Sequence, residues 1–362
     1  MNFDWSEDQE LFRSTVERFL GGRDIGARRA QQGRDDEIDR DRWRAMAELG
    51  LTSLALPEMQ GGLGGSAFDL IGVADTFGQR LSADQWVENA ALPGLLAGLA
   101  EGEPDWTRSL ASGERIVAVA FAEPDRRYAL RPARTTLERY GDGFRLSGAK
   151  TLVLGGMAAD ILLVTALLGD APVLAVCDAA RDGVDRRGYR IVDGSKAAEV
   201  TFRNVALPAP TIVSRDWEAA RRAFSTAALL AAAELVGLGD RMLEDTLAYV
   251  REREQFGQAI GKFQALQHRL VDAYALADQS RSMLYRAAMQ ADGANAGTAI
   301  AGAKALIADN TLTIGREAIQ MYGGMGVTEE MEVGHAHKRS LLLAQLFGDV
   351  RANLATYAEK AA

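Results

Sequence analysis

Apolar side chains in the first hundred residues recur at helical spacing. Phe12, Val16 and Phe19 form one stripe, and Trp43, Met46 and Leu49 begin another. Residues three and four apart share a helix face, so both runs predict amphipathic helices. Ser6-x-x-Gln9, just ahead of the first stripe, has the form of a capping box and predicts a helix start. The charged stretch from Arg23 to Arg42 reads as solvated helix and loop, and Gly50-Leu51 ends the second helix. Gly61-Gly62-Leu63-Gly64-Gly65 lacks a Lys at the spacing a phosphate loop needs, so it is read as a structural turn. Helical patterns resume over Phe68 to Arg80 and Trp86 to Leu99.

The pattern changes at Arg115. Ile116 to Phe121 is a short apolar run, and Thr135 to Tyr140 and Phe144 to Ser147 flank Gly141-Asp142-Gly143 as two strands about a tight turn. Ile161 to Leu167, Val173 to Cys177 and Ala198 to Phe202 add further strands. Many short strands with turns between them predict a small barrel or sandwich. From Asp216 onward the chain is helical again. Ala219 to Val250 forms one long run, and helix resumes from Phe263 to Leu276. The expected fold is mainly α with a central β domain. An N-terminal helical domain spans 1–115, a β domain 116–212 and a C-terminal helical domain 213–362.

A length of 362 residues allows two or three domains with real cores. A net charge of -9, with acids spread along the chain, argues against nucleic acid as the main partner. Cys177 is the single cysteine, which excludes an internal disulfide and reads as a core filler. His268, His335 and His337 make no convincing metal set. The N-terminus has no basic start followed by an apolar run, and Thr226 to Gly237 is too short to span a bilayer. A cytoplasmic protein without a membrane partner is the expectation.

The most informative stretch is Tyr249-Val-Arg-Glu-Arg253-Glu-Gln255-Phe256-Gly257-Gln-Ala-Ile260-Gly261-Lys-Phe263-Gln264. Tyr249, Arg253 and Phe256 stand at i, i+4 and i+7 and predict one stripe of a helix that Gly257 and Gly261 then break or cap. An Arg beside an amide and two glycines suits a phosphate or another flat anion. The guanidinium is a planar fork of donors, and glycine lets a backbone approach closely. A lone Arg of this kind is more often simply solvated.

The whole string resembles a signature of the flavin-dependent acyl-CoA dehydrogenase family. A second one, Gln320-Met-Tyr-Gly323-Gly324-Met-Gly326, follows in the expected order and at the expected spacing. Helical, β, helical is the architecture this resemblance implies, and it covers nearly the whole chain. Both segments in that family reach across a dimer interface and hold the pyrophosphate and adenosine half of the neighbour's FAD. The resemblance thus implies FAD as cofactor, an acyl-CoA thioester as substrate and an electron-transfer flavoprotein-like acceptor. It assigns cofactor contacts to Arg253, Gln255, Phe256, Gln264, Gln320, Gly323 and Gly324.

The family reaction needs a carboxylate that takes the proton α to the thioester carbonyl, donors to the carbonyl oxygen, and a flavin that takes the β-hydride. The usual base position is Phe347 here, in Leu346-Phe347-Gly348-Asp349, and the alternative position on the preceding helix is Ala227. Neither is an acid. Glu234 lies two turns beyond Ala227, roughly 10 Å along the helix, among apolar residues. It is a weak candidate base, and Asp349 is another. The positions of the Asp and Arg that serve the CoA arm hold Ser225 and Ala228. The flavin loop reads Ala122-Glu123-Pro124 without a following Gly-Ser-Asp. The flavin strand reads Lys150-Thr151-Leu152-Val153-Leu154, without the usual Trp and hydroxyl.

The residues lost are those the family uses within its own subunit, and those kept serve a neighbour. This pattern resembles the small subunits of heteromeric acyl-CoA dehydrogenases of the pimeloyl-CoA and steroid side-chain types. The segment from Asn2 to Gln9 and Phe347-Gly348-Asp349 also look like that group. A subunit of fatty acid or steroid side-chain degradation that shares FAD with a homologous, catalytically complete chain is expected. An independent homo-oligomer with an unusual base and a non-enzymatic binding protein on the same fold are the alternatives.

Overall fold

A computed structural model describes residues 5–21, 25–34, 37–101 and 104–361. The N-terminal likeness at Asn2, Phe3 and Asp4 lies outside the described residues. The predicted capping box is present: Gln9 N–H donates to Ser6 Oγ, and Ser6 N–H donates to the Gln9 side chain. It starts α1 (Glu7–Leu20), followed by α2 (Ile25–Gly33), α3 (Arg40–Glu48) and α4 (Ala67–Gln79). A π-helical turn (Val87–Ala91) runs into α5 (Leu92–Ala97), and α6 (Asp105–Ala111) precedes the strands.

Strands occupy the middle of the chain: β1 (Val117–Ala120), β2 (Thr136–Tyr140), β3 (Gly143–Leu154), β4 (Ile161–Leu168), β5 (Ala171–Asp178), β6 (Val184–Arg190), β7 (Lys196–Leu207) and β8 (Ile212–Ser214). Then come α7 (Trp217–Glu252), a two-residue hairpin, α8 (Gln264–Met289), α9 (Ala296–Tyr322), α10 (Glu332–Gln345) and α11 (Val350–Ala361). The helical, β, helical order expected from the hydrophobic pattern is the order found.

The chain packs as two compact units. One combines Met1–Arg28, Ala67–Ser82 and Ala228–Ala362, and the other Arg29–Ser66 and Ala83–Ala227.

In the first unit α4 and α7 lie backbone to backbone. A Cβ on Gly78 would sit 2.2 Å from the Glu234 carbonyl oxygen, and one on Gly237 2.1 Å from that of Asp75. Only glycine permits this approach from both sides. The apolar run expected at Thr226 to Gly237 proves to be part of a 36-residue helix. That helix is long and apolar enough to cross a bilayer, but 83% of its most apolar window is buried inside the protein.

In the second unit the strands make one eight-stranded sheet in the order β6-β7-β3-β2-β4-β5-β8. β1 pairs in parallel with Ile161–Val164 of β4, and β2 meets β4 further on at Leu167. Leu137, Leu146, Leu162, Val164, Val200 and Phe202 are among its buried core residues. Cys177 joins them, and burial pushes its thiol up to about 12, as suits an inert core filler. β6 escapes the hydrophobic pattern because its sequence, Val-Asp-Arg-Arg-Gly-Tyr-Arg, is mostly polar. It is an edge strand with four of its seven positions exposed and none buried, so it needs no apolar face.

Candidate functional site

α7 stops at Glu252, so Arg253 and Phe256 do not continue its stripe as the spacing predicted. Glu254–Gln255 pairs antiparallel with Gln258–Ala259. Phe256 and Gly257 between them both have positive φ, +53° and +79°. Those signs at both central positions are what a type I′ hairpin turn requires, and this local preference overrides helix continuation. The hairpin is closed by the Ile260 N–H donating to the Arg253 carbonyl at 2.8 Å. Gly261 lets the returning chain pass α7, because a Cβ there would lie 2.9 Å from the Val250 carbonyl oxygen.

The second motif ends α9. Gly323, at φ +62°, donates its N–H back to Gln320 and Ile319 carbonyls, and a Cβ on Gly323 or Gly324 would meet nothing within 4 Å. The two motifs share one root. Tyr249 and Tyr322 stack with centroids 4.1 Å apart, and the Tyr322 hydroxyl donates to the Asp245 carbonyl at 3.1 Å.

All seven expected cofactor residues are exposed: Arg253, Gln255, Phe256, Gln264, Gln320, Gly323 and Gly324. Phe256 is 91% exposed, and its ring meets that of Phe263 edge-on with centroids 6.1 Å apart. The Gln255 amide donates to the neighbouring Glu254 carbonyl. The Arg253, Gln264 and Gln320 side chains make no hydrogen bond or ion pair with other described residues. A free guanidinium, free carboxamides and open glycine backbone can receive an anion and a polar ring system from outside the unit.

The β unit uses its polar motif residues internally. The Glu123 carboxylate accepts backbone N–H bonds from Ala133, Arg134 and Thr135 at 2.9, 3.0 and 2.9 Å, and one from Lys150 Nζ at 3.2 Å. Burial alone would raise this carboxyl, but Lys150 and the backbone donors outweigh it and hold it at about 2. Lys150 is fully buried and also donates to the Phe121 carbonyl and Thr165 Oγ1, and burial pulls it down to about 8 against the pull of Glu123. A bulge between Lys150 and Val153 leaves Leu152 at φ +51°. Its N–H donates to the Tyr189 hydroxyl at 3.1 Å, Thr151 Oγ1 donates to Glu199, and Asn89 donates to the Leu154 carbonyl.

The positions that the resemblance assigns to a base, and the two candidate acids, offer no free carboxylate. Ala227 is fully buried, and Phe347 stands half-buried at φ +61°. Glu234 is 3% exposed, and both its oxygens are taken by Arg339 at 2.7 and 3.0 Å. Lys304 is fully buried nearby and donates to the Leu343 carbonyl in the last turn of α10. Asp349 accepts the Ala352 N–H at 2.8 Å and so caps α11. Among the described residues no group of three or more His, Cys, Asp or Glu side chains gathers as for a metal. Arg339 and Lys304 were not anticipated. Arg339 is 105 positions from its partner Glu234, and the only sign of Lys304 in the sequence is a lysine inside an apolar helical run.

Helices, one eight-stranded sheet and helices again in chain order, with an exposed Arg and two exposed glycines in the motifs, are features of an acyl-CoA dehydrogenase-like oxidoreductase. The acyl-CoA dehydrogenase N-terminal domain model matches residues 6–114 and the C-terminal domain model residues 216–361, together well over half of the chain. The chain therefore belongs to the acyl-CoA dehydrogenase family. It is similar to the probable acyl-CoA dehydrogenase YngJ of Bacillus subtilis, with 27% identity over 358 residues and 92% of each chain covered. Its fold matches a chain of the ChsE4–ChsE5 complex from Mycobacterium tuberculosis, with a TM-score of 0.91, 24% identity, and 100% of this chain and 99% of that one covered. It also matches the Tcur3481–Tcur3483 steroid ACAD G363A variant, with a TM-score of 0.88, 27% identity, and 98% and 97% covered.

Proposed function

We propose that this chain is a subunit of an FAD-dependent acyl-CoA dehydrogenase that completes the FAD site of a homologous, catalytically complete partner. One observation carries the reading. The motif residues that serve a neighbour are exposed and largely unpartnered, while the β-strand and loop polar groups are consumed by internal bonds. FAD fits the first set and not the second. When bound, it supplies the acceptor for the hydride leaving the acyl β-carbon.

Arg253 provides the charge-assisted donors for a pyrophosphate, and Gln255, Gln264 and Gln320 provide amide donors and acceptors. The open backbone at Gly323 and Gly324 allows close approach. Phe256 offers an exposed apolar ring against the adenosine half. Proton abstraction and polarisation of the thioester fall to the partner, which also passes electrons to an electron-transfer flavoprotein-like acceptor. The ChsE4–ChsE5 complex among the structural relatives is compatible with such an assembly. An independent homo-oligomer would need its own base. Glu234 is occupied by Arg339 and Asp349 by a helix cap, which disfavours that alternative.

The test is flavin bleaching by an acyl-CoA, measured on the purified chain alone and together with a complete homologous chain. The chain alone is expected to hold little flavin and the pair to bleach. A yellow homo-oligomer with one FAD per chain that bleaches unaided would overturn the proposal.

A further inference from the structure

Away from these motifs, a narrow cavity of about 30 Å³ opens in the β unit, lined in part by Glu37, Trp43, Gln85 and Lys196. Three of its side-chain atoms are buried and have no hydrogen-bond partner among the described residues: Trp43 Nε1, Glu37 Oε1 and Gln85 Oε1. Trp43 is 3% exposed and Gln85 8%. The other polar ends of these residues are engaged. Glu37 Oε2 accepts the Met157 and Ala158 N–H groups at 2.8 and 3.0 Å, and the Gln85 amide nitrogen donates to the Lys196 carbonyl.

A buried polar atom without a partner is costly, so three lining one cavity call for a common occupant. The set comprises one donor, the indole N–H, and two acceptors. A single water molecule offers two donors and an acceptor and matches it. A cavity of about 30 Å³ admits one or two such molecules. A set that includes an indole N–H donor is poorly matched to a metal cation. A larger organic ligand does not fit the volume.

We propose that Glu37, Trp43 and Gln85 form a binding site for one or two ordered water molecules. The water joins three separate stretches of chain, around residues 37–43, 83–85 and 194–196, and substitutes for the direct hydrogen bonds that these side chains do not make.

The test is a high-resolution crystal structure of the full chain, with and without a thallium(I) soak. The expected result is a water peak within hydrogen-bond distance of all three atoms and no thallium signal. Trp43→Phe, which keeps an aromatic ring but removes the donor, is expected to lose that peak or move it out of reach of the remaining acceptors. A thallium peak would assign the site to a cation, and direct bonding among the three side chains would leave nothing for water to do. Either result overturns the proposal. If Trp43→Phe does not fold, water-oxygen relaxation dispersion comparing the wild type with Gln85→Leu replaces it. Loss of one long-lived water in Gln85→Leu supports the site, and no change overturns it.

Discussion

The stacked rings of Tyr249 and Tyr322, 4.1 Å apart and 13° from parallel, join two motifs that are far apart in sequence. Tyr249 precedes Arg253 by one helical turn, and Tyr322 stands between Gln320 and Gly323. The stack fixes the end of α7 against the end of α9 without using any of the exposed side chains. Such a pair contributes about 0.5–1.5 kcal/mol beyond its burial. Tyr322→Leu is therefore expected to lower FAD retention by the assembled complex several-fold while the chain stays folded. Unchanged retention, read from flavin absorbance after gel filtration, would show that the two motifs hold their places without the stack.

Arg253→Ala tests the assigned anion contact directly. Losing one charge-assisted phosphate bond costs about 1.5–3 kcal/mol, which is roughly 10- to 150-fold in FAD affinity. The side chain is exposed and makes no ion pair within the described residues, so the folding stability of the isolated chain is expected to stay the same. FAD affinity in the complex, measured by fluorescence titration, decides the matter. An unaltered affinity would remove the motif from the cofactor site.

Much of the fold was legible because burial leaves a periodic trace. The stripe containing Val16 and the strand at Ile161–Leu168 could be read from apolar spacing alone. β6 could not, because an edge strand needs no apolar face. The motif at Arg253 was recognisable, but its shape was misread. Helix propensity says nothing of a two-residue turn whose central residues, Phe256 and Gly257, both take positive φ. The Glu234–Arg339 pair was invisible for a different reason: side chains 105 positions apart meet only once the helices have packed.

That pair gives a prediction separating stability from catalysis. Glu234→Gln removes the buried carboxylate charge that the Arg339 guanidinium meets at 2.7 and 3.0 Å. Breaking a buried pair from one side costs about 3–5 kcal/mol. Denaturant unfolding of the chain is expected to show that loss. A variant of wild-type stability whose complex had lost all turnover would instead make Glu234 the missing base.

Lys304 predicts a pH dependence. Burial pulls its ammonium down to about 7, against the opposing attraction of Glu234, whereas an unfolded lysine titrates near its ordinary value of 10.5. Between those values the unfolded chain binds the extra proton, so stability rises with pH across this window. Lys150, pulled down to about 8, adds the same sign above that pH. Glu123 acts at the acid end: its carboxyl is held at about 2, so its contribution is present above 4.5 and is lost as pH falls towards 2. Unfolding free energy measured from pH 7 to 10 is expected to climb in the wild type and to climb less in Lys304→Met. Equal slopes in the two proteins would mean that Lys304 keeps an ordinary affinity for its proton.

Phe347 stands where the sequence resemblance places the family's proton-abstracting glutamate, yet introducing an acid there is not expected to create activity. A base works only when a thioester is held near it with its carbonyl polarised. Here Ser225 and Ala228 offer no carboxylate–guanidinium pair to a CoA arm, and Leu152 and Leu154 offer no polar side chain to a flavin. The new carboxylate would also follow Leu346, a buried residue, at a half-buried position whose φ is +61°. Desolvation there favours its protonated form. Phe347→Glu is expected to leave the dehydrogenation rate of the complex unchanged and to lower the stability of the chain. Replacing the partner's catalytic carboxylate is expected to abolish turnover altogether. Acyl-CoA oxidation by the complex, assayed with each substitution separately, distinguishes the roles. A substantial rate increase from Phe347→Glu would mean that this subunit already holds a nearly complete substrate site of its own.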